Sequence, residues 1–134
     1  MTLQWTSALS VGVTEIDGEH QELFRRAGRL LDALEAGKRA EVVELVEFLH
    51  GYAVRHFGRE ETWMRETLYP GYVRHKLEHD RFVADLRVLA RDLDVSGQRA
   101  IAPFQLGRWL AQWLKDHVSG TDKELGRYLA KRSA

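Results

Sequence analysis

His56 and Glu60 stand four residues apart in Arg55-His56-Phe57-Gly58-Arg59-Glu60, and His75 and His79 stand four apart downstream. On an α-helix, positions four apart differ by about 40° around the axis and by one turn along it. Each pair can therefore aim two donors at one point. Three imidazoles and one carboxylate on consecutive helices are the donor types of a first-row metal site. A single pair of this kind is more often an ordinary polar pair, so the weight of the reading rests on whether the rest of the chain completes the set.

Composition narrows the alternatives. The chain has 134 residues, 44% of them hydrophobic, with 20 basic and 20 acidic side chains and a formal net charge of zero. That suits one domain with a modest core and gives no polybasic surface for nucleic acid or membrane. Cysteine is absent, which excludes disulfides, thiolate zinc sites and thiol catalysis. No leader-like segment and no apolar run of bilayer length is visible, so the expected location is the cytoplasm.

The positioning elements follow from periodicity. Residues 1–16 lack a helical period and read as an arm. Asp17 is a candidate N-cap for a first helix from about Gly18 to Ala36, ended by Gly37. A second helix is expected from about Arg39 to Glu66 and a third from about Tyr72 to Leu93, with residues 94–97 as a loop. A fourth starts near Pro103, and a tail helix covers about 121–131. The fold class is all-α: an up-down-up-down four-helix bundle spanning about 17–119, with an N-terminal arm and a short C-terminal helix, in a single domain over 1–134. Residues equidistant from a turn in an antiparallel hairpin lie at similar heights. His20 and His56 flank the Lys38 turn equally, and His117 matches the level of His75 and His79. All of them, with Glu60, fall in one slab of the bundle.

Asp122 completes the candidate set, although a step of five residues from His117 turns about 140° on a regular helix. Gly120 offers a place for the helix to end or loosen and let Asp122 turn back. Five histidines and two carboxylates are too many donors for one ion and suit two. If both carboxylates bridge, the side chains supply nine bonds. An oxo or hydroxo bridge adds two, and two octahedral ions offer twelve positions, leaving one open for a small ligand. Imidazole and carboxylate donors at octahedral ions favour iron, then manganese, over zinc. Bundle sites that oxidise substrates use about four carboxylates with two histidines. The histidine-rich set here favours reversible electron transfer to O2 instead.

The motifs Ile16-Asp17-Gly18-Glu19-His20, His56-Phe57-Gly58-Arg59-Glu60, His75-Lys76-Leu77-Glu78-His79 and Trp113-Leu114-Lys115-Asp116-His117 through Asp122 resemble the hemerythrin family in its single-domain bacterial form. The resemblance spans essentially the whole chain. It implies two iron ions joined by an oxo or hydroxo bridge. His75, His79 and His117 would hold one iron, His20 and His56 the other, and Glu60 and Asp122 would bridge them. It further implies reversible O2 binding, for storage, delivery or sensing, by a protein that is not an enzyme.

Beside these, Leu114, Trp113 and Val118 are expected to wall an O2 pocket, and Glu19, next to His20, to accept an imidazole N–H. Val118 sits where many family members carry a bulkier aliphatic side chain. Glu15, Glu22, Glu61 and Glu78 read as solvated charges, and His50 as a non-ligand pointing away from His56. Expected partners are O2 and other small ligands such as nitric oxide, with no nucleic acid and no membrane, in a monomer. A di-iron oxidase, peroxidase or nitric-oxide-handling enzyme is the alternative.

Overall fold

A computed structural model describes residues 3–92 and 103–133. A 3-10 turn at Ser7–Leu9 precedes α1 (Thr14–Ala36), α2 (Arg39–Glu66), α3 (Tyr72–Asp92) and α4 (Pro103–Asp116). A π-helical segment, His117–Asp122, joins α4 to α5 (Lys123–Ser133). α1 packs on α2 and α4, α2 on α3, and α3 on α4, which is the up-down-up-down arrangement. The described helices include none long and apolar enough to cross a membrane. The expected loop at 94–97 and the end of the third helix at 93 lie outside the described residues.

α1 starts at Thr14, a turn earlier than the expected Gly18, and Asp17 is not its N-cap. The Asp17 carboxylate instead accepts from Ser10 Oγ at 2.5 Å and from the Val11 backbone N–H at 2.8 Å. It ties the arm back onto the first turn of α1. The arm then runs under α5. A Cβ on Gly126 would stand 2.0 Å from the Val11 carbonyl oxygen, so only glycine permits that approach.

Two helices end in the same hydrogen-bond pattern with different residues. After α1, the Gly37 N–H reaches Leu34 O and the Lys38 N–H reaches Ala33 O, with Gly37 left-handed at φ 69°. After α2, the Leu68 N–H reaches Arg65 O and the Tyr69 N–H reaches Met64 O, with Leu68 at φ 55°. A leucine carries a steric penalty of about 1–2 kcal/mol there. Leu68 is 83% exposed, so burial does not offset it.

The apolar interior is split in two. The larger part joins Leu23, Phe24 and Leu30 of α1 to Leu49, Ala53 and Phe57 of α2, Phe82 and Leu86 of α3, and Leu110, Leu114 and Val118. The smaller part joins Val11, Ile16, Met64 and Leu125. On each chain segment a polar side chain interrupts the stripe between these parts: His20 on α1, His56 and Glu60 on α2, His79 on α3, and His117 and Asp122 on the π-helical segment.

Nothing in the structure explains Gly58, which is exposed and has open space where a Cβ would stand. Glycine inside a helix costs about 1 kcal/mol relative to alanine. Gly58→Ala is therefore expected to raise stability by about 1 kcal/mol, read by thermal or denaturant unfolding. A lower midpoint would show that the position carries a constraint.

Candidate metal centre

The polar slab contains all seven predicted side chains, each at most 3% exposed: His20, His56, Glu60, His75, His79, His117 and Asp122. Helical spacing of four delivers His56 with Glu60 and His75 with His79. The π-helical segment delivers the last pair. Its i→i+5 bonding widens the turn, which brings His117 Nε2 to 3.2 Å from Asp122 Oδ1. The helix does not end at Gly120, as one reading of the sequence allowed. Asp116 and Lys123 on either side both keep right-handed helical torsions.

Every Nε2 atom in the slab points at a carboxylate oxygen. His20 lies 2.9 Å from Asp122, His75 3.0 Å from Asp122, His79 3.1 Å from Glu60 and His56 3.2 Å from Glu60. None of these contacts has hydrogen-bond geometry. All five Nε2 atoms and all four oxygens of Glu60 and Asp122 are buried without a hydrogen-bond partner. Nine such atoms at about 1–3 kcal/mol each would cost as much as a whole domain's stability of about 5–15 kcal/mol. Such an interior requires cations, either protons on the rings or metal ions between them. Adjacent donors on one octahedral ion with bonds of about 2.0–2.2 Å stand roughly 3 Å apart, which is the spacing observed. The residues fit a metal pair.

The donors fall into two groups able to hold an ion, one of Glu60, His75, His79, His117 and Asp122, the other of His20, His56, Glu60 and Asp122. The members common to both are the two carboxylates. The groups differ by one imidazole, three against two.

Behind the rings a second layer of carboxylates sets the imidazole orientation. His56 Nδ1 donates to Glu19 Oε1 at 2.7 Å, His79 Nδ1 to Glu61 Oε2 at 2.9 Å and His117 Nδ1 to Glu78 Oε1 at 2.8 Å. This meets one sequence expectation and corrects two. Glu19 accepts an imidazole N–H as expected, from His56 of the next helix; the Nδ1 of its neighbour His20 has no partner among the described residues. Glu61 and Glu78 are not merely solvated charges. The signal was available: each of the three glutamates directly precedes or follows a slab residue, one helical step round toward the adjacent helix. Glu19 also receives Arg59, and Glu78 also receives the Thr121 hydroxyl at 2.8 Å. Burial raises the Glu19 carboxyl, yet His56 and Arg59 bring it below its ordinary value. Glu78 is lowered chiefly by the His117 hydrogen bond.

Aromatic rings close the slab on one side. Phe57 stacks on His79 at 3.9 Å and 7°, and Trp113 stacks on His117 at 4.4 Å and 13°. Leu114 and Val118 are buried beside them. His50 stands apart, accepting from Arg87 Nε at 2.9 Å.

With this bundle and a buried two-ion donor set established, the comparisons with known proteins define the class. Residues 11–129 match the family described as the hemerythrin HHE cation binding domain. The chain is 30% identical over 129 residues to the bacteriohemerythrin of Methylococcus capsulatus, covering 96% of this chain and 97% of that one. It is 26% identical over 125 residues to the bacteriohemerythrin of Clostridium acetobutylicum, covering 90% and 95%. A crystal structure of wild-type hemerythrin superposes with a TM-score of 0.83 at 28% identity, covering 95% of this chain and 97% of that one. The protein belongs to the hemerythrin family.

The metal-free chain should show a characteristic pH response. Burial opposes charge on His56 and His117, but Glu60, Asp122 and the carboxylates behind them outweigh it and raise both rings to about 10. Burial likewise opposes charge on Glu60, which the surrounding histidines hold well below its ordinary value of 4.5. The raised histidines contribute stability that is complete below about 6.5 and lost as pH rises toward 10. The depressed carboxylates contribute stability that is complete above about 4.5 and lost as pH falls. Thermal melts of chelator-treated protein should therefore be highest between pH 4.5 and 6.5 and decline toward pH 10. The metal-loaded protein, with neutral rings, should lose the alkaline decline. A metal-free melting profile flat from pH 6 to 10 would contradict this charge assignment.

Proposed function

We propose that this protein binds O2 reversibly at a carboxylate-bridged pair of iron ions. The observation that carries this reading is the set of nine convergent, unpartnered donor atoms, divided into groups of three and two imidazoles that share Glu60 and Asp122. In this reading His75, His79 and His117 would hold one iron and His20 and His56 the other. Glu60 and Asp122, which belong to both groups, would be shared between the two ions. The group with two imidazoles offers one donor fewer, and an ion held there would have room for a diatomic ligand.

A reduced iron pair supplies the electrons that O2 takes up on binding and returns on release. The chain's own residues make the exchange reversible. Glu19, Glu61 and Glu78 accept the Nδ1 protons of three rings, which fixes the tautomer so that each Nε2 is a free donor. Leu114 and Val118, both essentially inaccessible, form an apolar wall that keeps water from the ligand position. Trp113 contributes indirectly, by its stack on His117 in the three-imidazole group. No other protonatable side chain lies inside the slab among the described residues, so the interior offers no acid or base to carry bound O2 on to further chemistry.

The family names and the donor set support an oxygen-binding di-iron protein, and a cytoplasmic monomer is the setting we assign to it. An anaerobic optical titration with O2, on protein of known iron content, tests the function. The expected result is a colourless reduced form that gains a visible band with O2 and loses it on deoxygenation. Irreversible oxidation at the first exposure to O2, with turnover of peroxide by an added reductant, would replace this reading with a redox enzyme.

A further inference from the structure

The five rings of the slab are not equivalent on their far side. Three Nδ1 atoms meet carboxylates, whereas those of His20 and His75 have no partner among the described residues. His20 is completely enclosed, at 0% exposure. His75 differs, because it lines a cavity of about 160 Å³ between the start of α3 and the π-helical segment, together with Tyr69, Arg74, Thr121 and Glu124. The Nε2 edge of His75 faces Asp122 at 3.0 Å and Glu60 at 3.3 Å. The edge turned from them carries Nδ1. A buried ring donor without an acceptor is rare in folded proteins, and here it adjoins a space of about five water volumes, at roughly 30 Å³ each.

The cavity wall adds further donors. The Tyr69 ring stands edge-on to His75, with centroids 6.5 Å apart. Arg74, an exposed side chain, also lines the cavity. Thr121 adds no donor, since its hydroxyl proton goes to Glu78. Glu124 at the rim is the one carboxylate in the lining, and it disfavours a ligand of more than one negative charge. Donors of this kind match a carboxylate, and the volume admits one the size of formate or acetate.

We propose that the cavity beside His75 binds a small monocarboxylate through the His75 Nδ1–H, the Tyr69 hydroxyl and the Arg74 guanidinium. Its ligand takes the place that Glu19, Glu61 and Glu78 fill behind His56, His79 and His117. The inference rests on the di-iron reading, because a cation on Nε2 is what keeps the ring proton on Nδ1. Binding makes the His75 imidazole a stronger donor and so couples the electron density of the three-imidazole ion to the concentration of a soluble acid.

Equilibrium dialysis with labelled formate, on protein carrying two counted irons per chain, tests the site. The expected result is one saturable formate per chain. Arg74→Ala and Tyr69→Phe should each weaken it about tenfold without loss of iron, and Glu124→Gln should tighten it severalfold. Formate held at an iron ion would ignore all three substitutions, and that outcome, or no saturable binding at full iron content, overturns the proposal while leaving the di-iron reading intact. A chain that takes up no iron overturns both, and the iron count reveals this before formate is added.

Discussion

The structure depends on one constraint: seven polar side chains must be buried together, and among the described residues no hydrogen bond satisfies the Nε2 and carboxylate oxygen atoms that they turn toward one another. Glu60 and Asp122 are inside the bundle with both oxygens of each unpartnered, facing five imidazole nitrogens in the same condition. Only positive charge placed between them resolves this. The consequence runs through the fold. The slab divides the apolar interior into a larger part above and a smaller one below, so each element needs an apolar stripe on both sides of its ligand. The smaller part is completed by the arm, held at Asp17, and by α5, which lets Val11 approach at Gly126. Elements that look peripheral to the chemistry therefore close the end of the bundle in which the site lies.

The second constraint is directional. Each of the first three helices carries a slab residue and, beside it in sequence, a glutamate for the ring on the following element: Glu19 for His56, Glu61 for His79, Glu78 for His117. The arrangement links the helices in chain order and fixes ring tautomers across three interfaces. It also adds anionic character behind the rings. The reading that only two carboxylates act on the metals therefore understates the electron donation available to them, and the choice between O2 release and further oxidation rests on the dry wall as well as on the donor count.

Much of this was legible in the sequence, for identifiable reasons. The spacings of four at His56 and Glu60 and at His75 and His79 are tied rigidly to helix geometry, and levels measured from the Lys38 turn and the 94–97 loop placed six donors in one slab. The family motifs then supplied the pairing of donors. What escaped has equally physical causes. A π-helical widening at His117–Asp122 leaves little trace in hydrophobic period, so the spacing of five left open whether the helix ends or loosens at Gly120. Asp17 resembled a cap because a cap and a tether draw on the same carboxylate, and only the path of Ser10 and Val11 distinguishes them. Glu61 and Glu78 looked solvated because their partners lie across a helix interface. Leu68 in a left-handed turn gave no signal, since leucine is not a residue from which such a turn is read.

The central claim is that Glu60 and Asp122 make one site for two metal ions out of two groups of imidazoles. Anaerobic calorimetric titration of ferrous iron into metal-free protein tests it most directly, on the parent chain and on Glu60→Ala. The account predicts two ions per chain for the parent, and at most one weakly held ion once a bridging carboxylate is removed. A parent that takes up a single ion, or a Glu60→Ala variant that binds two with unchanged affinity, would contradict it.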